Sequence, residues 1–141
     1  MSSNAPLLDS WLESFIRNHG GIAGTVHVLS QDAAPVLSLA AAKNIPPPVV
    51  EVTRTIPKGK GMAGLAWERG CAVQTCNLQT DKTGDVRPGA KAVQAQAAVA
   101  LPVNDEHGKL RAVVGIAFAD ERELGEDELA RLQTDADGVP Q

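Results

Sequence analysis

The residues of this chain with chemical potential are two cysteines, three histidines and one glycine-rich turn. Cys71 and Cys76 bracket Ala72-Val73-Gln74-Thr75, a segment with the composition of a strand. Five extended steps of about 3.3 Å would hold their Cα atoms roughly 16 Å apart. A disulfide needs them within about 7 Å, so an intrachain bridge would require that strand to break. Zinc is not indicated either, because His19, His27 and His107 are scattered and no second close pair of ligands accompanies the thiols. The cysteines therefore read as reduced structural residues. The turn, Gly59-Lys60-Gly61-Met62-Ala63-Gly64, fits G-x-G-x-x-G, a pattern whose glycines let a backbone approach pyrophosphate at a helix N-terminus.

A dinucleotide loop follows its strand directly, and an acid about twenty residues later sits at the tip of the next parallel strand. Here Pro57 and Lys58 intervene, Asp81 falls in a polar connection, and the later strands are joined by a short hairpin. A Walker-type phosphate loop fails because Leu65 and Ala66 stand in the places of its Lys and its Ser or Thr. The motif alone does not assign a cofactor, and the rest of the sequence names none.

The elements that must position these residues belong to one domain, residues 1–141, with its core over about residues 7–137. Hydrophobic residues at 43% and charged residues at 21% describe an ordinary globule without an apolar run that spans a bilayer. The acids near the N-terminus do not fit a signal peptide, and a cytoplasmic location is expected. A net charge of -4 and the near absence of aromatic residues argue against nucleic acid as a partner.

Residues 6–19 place Leu8, Trp11, Leu12, Phe15 and Ile16 on one helical face, and Gly20-Gly21 ends that helix. Strands are expected over Ile22–Ser30, Val36–Ala42, Val49–Ile56, Cys71–Cys76, Gln96–Val103 and Leu110–Ala119. Short helices are expected over Met62–Arg69 and Glu126–Asp137. Pro46-Pro47-Pro48 reads as an interruption, residues 77–92 as a long polar connection, and Asn104–Gly108 as a hairpin tip. This order predicts an α+β fold with a central antiparallel sheet of about six strands and helices on both faces.

At this point IPKGKGMAGLAWERGCAVQTCNLQTD, QAAVALPVNDEHGKLRAVVGIAFAD and ELGEDELARL resemble a GAF domain over nearly the whole chain. The resemblance implies that the glycine turn opens a short helix beside the sheet, next to a small-molecule pocket covered by a variable loop. It also implies that the first and last helices pack on the opposite face and pair with a second subunit. Gly59, Gly61 and Gly64 then serve as turn and close-packing glycines, with anion contact as the alternative. In the catalytic branch, the free methionine-(R)-sulfoxide reductases, thiols stand in the glycine-rich turn and in the loop before the ALP-type strand. Those places hold Ala63 and Lys91 here, and the acid expected at the start of that strand is Ala98. Bilin attachment is disfavoured because Ala72 and Asn77 follow the cysteines where a His is usual, and the cyclic-nucleotide signature is not recognisable. The resemblance thus implies a non-catalytic, small-molecule-binding sensor, acting through homodimerisation or a separate signalling protein. The alternatives are a thiol redox sensor or reductase and a structural dimerisation module.

Alternation along Gln94–Val103 puts Val99, Leu101 and Val103 toward the terminal helices and turns Gln94, Gln96, Ala98 and Ala100 toward the pocket. The same logic turns Thr25 and His27 inward from the first strand, with His27 either a pocket residue or a satisfied structural one. Asn77, Arg87 and Lys91 come from the polar connection, the last two converging on an anion near Met62 and Ala63 or forming a solvated basic loop. Trp67 covers a pocket edge or fills core. The expected ligand is small and polar or anionic. No membrane partner and no metal site are expected.

Overall fold

The computed structural model describes residues 5–30, 35–45, 47–52, 54–75, 97–120 and 124–140. In chain order the elements are α1 (Ala5–Asn18), β1 (Ala23–Leu29), β2 (Leu37–Lys43), α2 (Pro47–Val52) and β3 (Thr55–Ile56). Then come α3 (Gly61–Arg69), β4 (Val73–Thr75), β5 (Ala97–Asn104), β6 (Leu110–Phe118) and α4 (Glu126–Ala136). The six strands form one sheet in the order β3-β2-β1-β6-β5-β4, with every neighbouring pair antiparallel. The two ends of the chain meet at its centre, where Val26 of β1 lies opposite Val114 of β6.

Period-two alternation divides the core between the two faces of this sheet. Val26, Val99, Leu101, Val103, Val114 and Ile116 point to one side, where they pack on Leu8, Leu12, Phe15 and Ile16 of α1 and Leu132 and Ala136 of α4. Spacing of three and four residues in α1 puts its apolar set on a single stripe, and Leu12 at its centre is fully buried. Leu37, Ile56, Val73, Ala100 and Val113 point to the other side and pack on Ala66 of α3. Glycine lets α1 turn into β1: Gly20 has φ +72°, and a Cβ on Gly21 would lie 2.7 Å from Ile116.

The terminal helices are also fastened by polar contacts. His19 Nε2 lies 2.6 Å from Asp135 Oδ2, joining the end of α1 to α4. The Gln133 amide donates to the carbonyl of Pro102 at 2.7 Å, and Arg111 donates to the carbonyl of Val139 at 2.8 Å. Lys43 on β2 reaches Asp9 of α1 at 2.8 Å, and that hydrogen bond, opposed in part by desolvation, holds the ammonium pKa above its ordinary value.

Two expected strands are corrected. Among the described residues of Val49–Ile56 only Thr55–Ile56 is strand, because residues 47–52 form α2. A proline in the first turn of a helix removes only an N–H that would have had no partner there, so Pro47 and Pro48 open a helix where an interruption was expected. The β-branched run that suggested a strand is thus overridden. The fourth strand is shorter than Cys71–Cys76, starting at Val73, with Cys71 exposed in a bend before it. Cys76 lies outside the described residues, as does the whole of the polar connection 77–92.

Candidate functional site

The glycine turn is built from backbone demands. Gly59 and Gly61 have φ of +83° and +64°, a region closed to most side chains. Gly64 sits where a Cβ would lie 2.6 Å from the carbonyl oxygen of Pro57, so the helix can pass this close only without a side chain. Hydrogen bonds from the Gly59 N–H to the Gly64 carbonyl at 2.9 Å and from the Lys60 N–H to the Pro57 carbonyl at 3.2 Å fold the turn onto α3. All three glycines are accounted for by turn and close packing. At the far end Gly70, φ +69°, caps α3 by donating to the Ala66 carbonyl.

This turn holds the start of α3 against the sheet. Met62 packs beside Ala23, Ala98 and Ala117, while Met62, Ala63 and Trp67 all join the cluster formed by Ala100 and Val113. The Lys58 ammonium lies 5.8 Å from the centre of the Trp67 ring, a cation–π contact. His27 is in register with Val113, which puts it on the same side of the sheet as α3. At 3% exposure it is the buried polar side chain of the described core.

Beside it the sheet carries unusually small side chains. Ala98, Ala117 and Ala23 form one cross-strand row, and Ala100, Gly115 and Thr25 form the next. Ala98, Ala117, Gly115 and Thr25 are all half-buried, as are Met62 and Ala63 across from them. Between α3 and the sheet the chain therefore presents small, half-buried side chains, with a buried imidazole beside them. Gly115 has its own reason to be glycine, since a Cβ there would lie 2.9 Å from Thr25 Oγ1.

Of the residues expected at the site, the structure brings His27, Met62, Ala63, Trp67 and Ala98 to this one side of the sheet. Asn77, Arg87, Lys91, Gln94 and Gln96 lie outside the described residues. Ala23, Gly115 and Ala117 were not singled out from sequence. Their signal was the same period-two alternation, but joining them to Ala98 and Thr25 requires the strand register. A separate cleft of about 310 Å³ lies on the opposite side, between the ends of α1 and α4, lined by Asn18, His19, Phe118, Leu124, Glu128, Arg131 and Leu132. Its apolar floor is nearly covered, since Phe118, Leu124 and Leu132 are all buried. Among the described residues no group of three His, Cys, Asp or Glu could hold a metal ion, and no helix is long and apolar enough to cross a membrane.

An antiparallel six-stranded sheet carrying α3 on one face and the terminal helices on the other is the GAF-type fold. The chain is similar to the free methionine-R-sulfoxide reductase of Neisseria meningitidis, solved in complex with its substrate, with a TM-score of 0.75 and 17% identity over 96% of this chain and 75% of that one. It is similar to the GAF domain of an Acinetobacter phosphoenolpyruvate-protein phosphotransferase, with a TM-score of 0.72 and 18% identity over 97% and 81%. A Staphylococcus aureus NreA protein mutated in its nitrate-binding site is matched with a TM-score of 0.70 and 16% identity over 89% and 98%. At these identities the likeness shows the fold alone. No family model matches the chain, and no curated protein matches it.

Proposed function

We propose that this protein is a non-catalytic sensor that binds a small polar or anionic molecule between α3 and the sheet. The observation that carries the proposal is the group of small, half-buried residues Ala98, Ala117, Gly115 and Thr25 beside buried His27. Small side chains leave volume, and an imidazole offers a donor, an acceptor or a charge. The N-terminus of α3 at Met62 and Ala63 adds a favourable field for negative charge. The proposal counts Trp67 among the ligand contacts, and with it Asn77, Arg87, Lys91, Gln94 and Gln96. The Staphylococcus aureus protein with a nitrate-binding site and the Neisseria meningitidis reductase with bound substrate are small-molecule precedents on this fold.

Enzymatic chemistry is disfavoured because Ala63 and Ala98 present methyl groups where the reductase resemblance places a thiol and an acid. A cytoplasmic setting, a homodimer and a separate signalling protein belong to the same proposal. Exposed Cys71 favours one second reading, oxidant sensing by an intermolecular disulfide.

A thermal-shift screen of polar and anionic metabolites tests the sensor reading. A ligand confined to the folded state adds about 2.7 kcal/mol at 100 times its dissociation constant. The shift is expected to shrink in His27→Ala and Ala98→Leu, and in Arg87→Ala and Lys91→Ala, while Lys109→Ala keeps it. No hit, or equal losses in all five variants, would sink the reading. Thioredoxin-coupled reduction of free methionine sulfoxide at enzymatic rates, lost in Cys71→Ser, would overturn its non-catalytic part. Peroxide-induced dimers on a non-reducing gel would favour oxidant sensing.

A further inference from the structure

The surface proposed to bind ligand and the terminal helices lie on opposite faces of the sheet, so any message between them must cross it. Strand β4 is placed to do this. It is one of the two edge strands, joined to β5 through the pairs Val73–Ala100, Gln74–Val99 and Thr75–Ala98. It follows α3 closely, with Gly70, Cys71 and Ala72 between the two elements. Val73 is buried against Ala66 and Ala100 on α3's side of the sheet. Alternation turns the next side chain, Gln74, to the other side.

There the Gln74 carboxamide makes two reciprocal hydrogen bonds to one residue. Its Nε2 donates to the Leu124 carbonyl at 3.1 Å, and its Oε1 accepts from the Leu124 N–H at 3.0 Å. The side chain thus pairs with the backbone as a neighbouring strand would. Leu124 is buried among the residues that seat α1 and α4, and it directly precedes Gly125, whose carbonyl accepts the first helical bond of α4 from Leu129. Gly125 has no side chain to cap that helix, and a Cβ there would meet nothing within 4 Å. Among the described residues, the entry of the chain into α4 is therefore held by the burial of Leu124 and by the two bonds from Gln74.

We propose that Gln74 couples the two faces: displacement of α3 by an occupant shifts β4, and Gln74 passes that shift to the start of α4. Val73 and Gln74 are consecutive residues of one extended strand, joined by a single peptide unit, so a shift of one is carried to the other. The purpose of this relay rests on the sensor reading, but its test needs no ligand.

Gly64→Ala supplies the displacement, because the new Cβ at 2.6 Å from the Pro57 oxygen forces the start of α3 away from its turn. Amide hydrogen exchange is then compared in the wild type, Gly64→Ala, Gln74→Leu and the double variant. In Gly64→Ala, the α4 amides from Leu129 onward are expected to exchange about tenfold faster while those of β1 keep their protection. In the Gln74→Leu background the same change is expected to add less than about twofold, because the link is already cut. Gln74→Glu, which keeps the acceptor and loses the donor, should fall between. If Gly64→Ala unfolds the protein, Ala66→Val, overpacking a fully buried position of α3, takes its place. The proposal is overturned if α3 exchange changes and α4 exchange does not, or if α4 responds equally with and without Gln74. Neither outcome bears on ligand binding, which the thermal-shift screen decides separately.

Discussion

Gly115 shows how one absent methyl group bears on the proposed site. Replacing a strand glycine by alanine ordinarily stabilises a protein by about 0.4–1 kcal/mol, because the unfolded chain loses freedom. At position 115 the added Cβ would lie 2.9 Å from Thr25 Oγ1, and overpacking of this kind costs roughly 1–3 kcal/mol. The clash wins, so Gly115→Ala is expected to destabilise by about 1 kcal/mol in denaturant unfolding. Thr25→Ala removes the oxygen, and in that background the same substitution should become neutral or stabilising. A cost unchanged by Thr25→Ala would show that something other than this contact requires the glycine. The inward side of Thr25 was legible from alternation. That Gly115 stands opposite it was not, because the pairing joins residues ninety positions apart through the β1–β6 register.

The hairpin of β5 and β6 is held at its tip by one carboxylate. Asp105 Oδ1 accepts from the His107 N–H at 2.8 Å and from the Lys109 N–H at 3.0 Å, while Gly108 adopts φ +80° to close the turn. The bond from Lys109 first, and then that from His107, holds the carboxyl pKa below its ordinary value. A group shifted down on folding contributes stability that is fully present above its unfolded pKa, about 3.9, and is lost as pH falls through the lower folded value. The melting temperature should therefore fall more steeply below about pH 4 in the wild type than in Asp105→Asn, whose amide oxygen still accepts but does not titrate. Parallel curves for the two proteins would exclude the carboxylate as a contributor. Elements of this kind were readable from sequence, since a turn-rich tip between two long alternating runs leaves few options. Residues 49–56 were not: a short β-branched run next to prolines supports either state, and α2 formed there with strand at Thr55–Ile56.

Across the whole molecule, the apolar stripes of α1 and α4 are used within the chain. Leu8, Leu12, Phe15 and Ile16 are buried, and so are Leu132 and Ala136. A dimer through these helices must then use what remains outside, chiefly Leu7, a large apolar side chain at 56% exposure, and the half-buried Trp11 one turn further on. Sedimentation equilibrium at high concentration is expected to give twice the chain mass, and Leu7→Glu should reduce it toward the monomer. A monomeric wild type at all concentrations would remove the dimer and leave signalling to a separate partner.

The sequence by itself determined the α+β class, five of the six strands to within a few residues, the helices α1, α3 and α4, and which face of β5 meets the terminal helices. These are local matters of period and turn chemistry, and each is repeated over enough residues to outweigh a single exception. The tertiary structure alone decided the strand order β3-β2-β1-β6-β5-β4 and the register that sets Ala98, Ala117 and Ala23 in one row and Ala100, Gly115 and Thr25 in the next. It also decided that Gln74 meets Leu124, fifty positions away. No local periodicity carries such information, because an edge amide finds its partner only when two distant segments are packed onto the same face of the sheet.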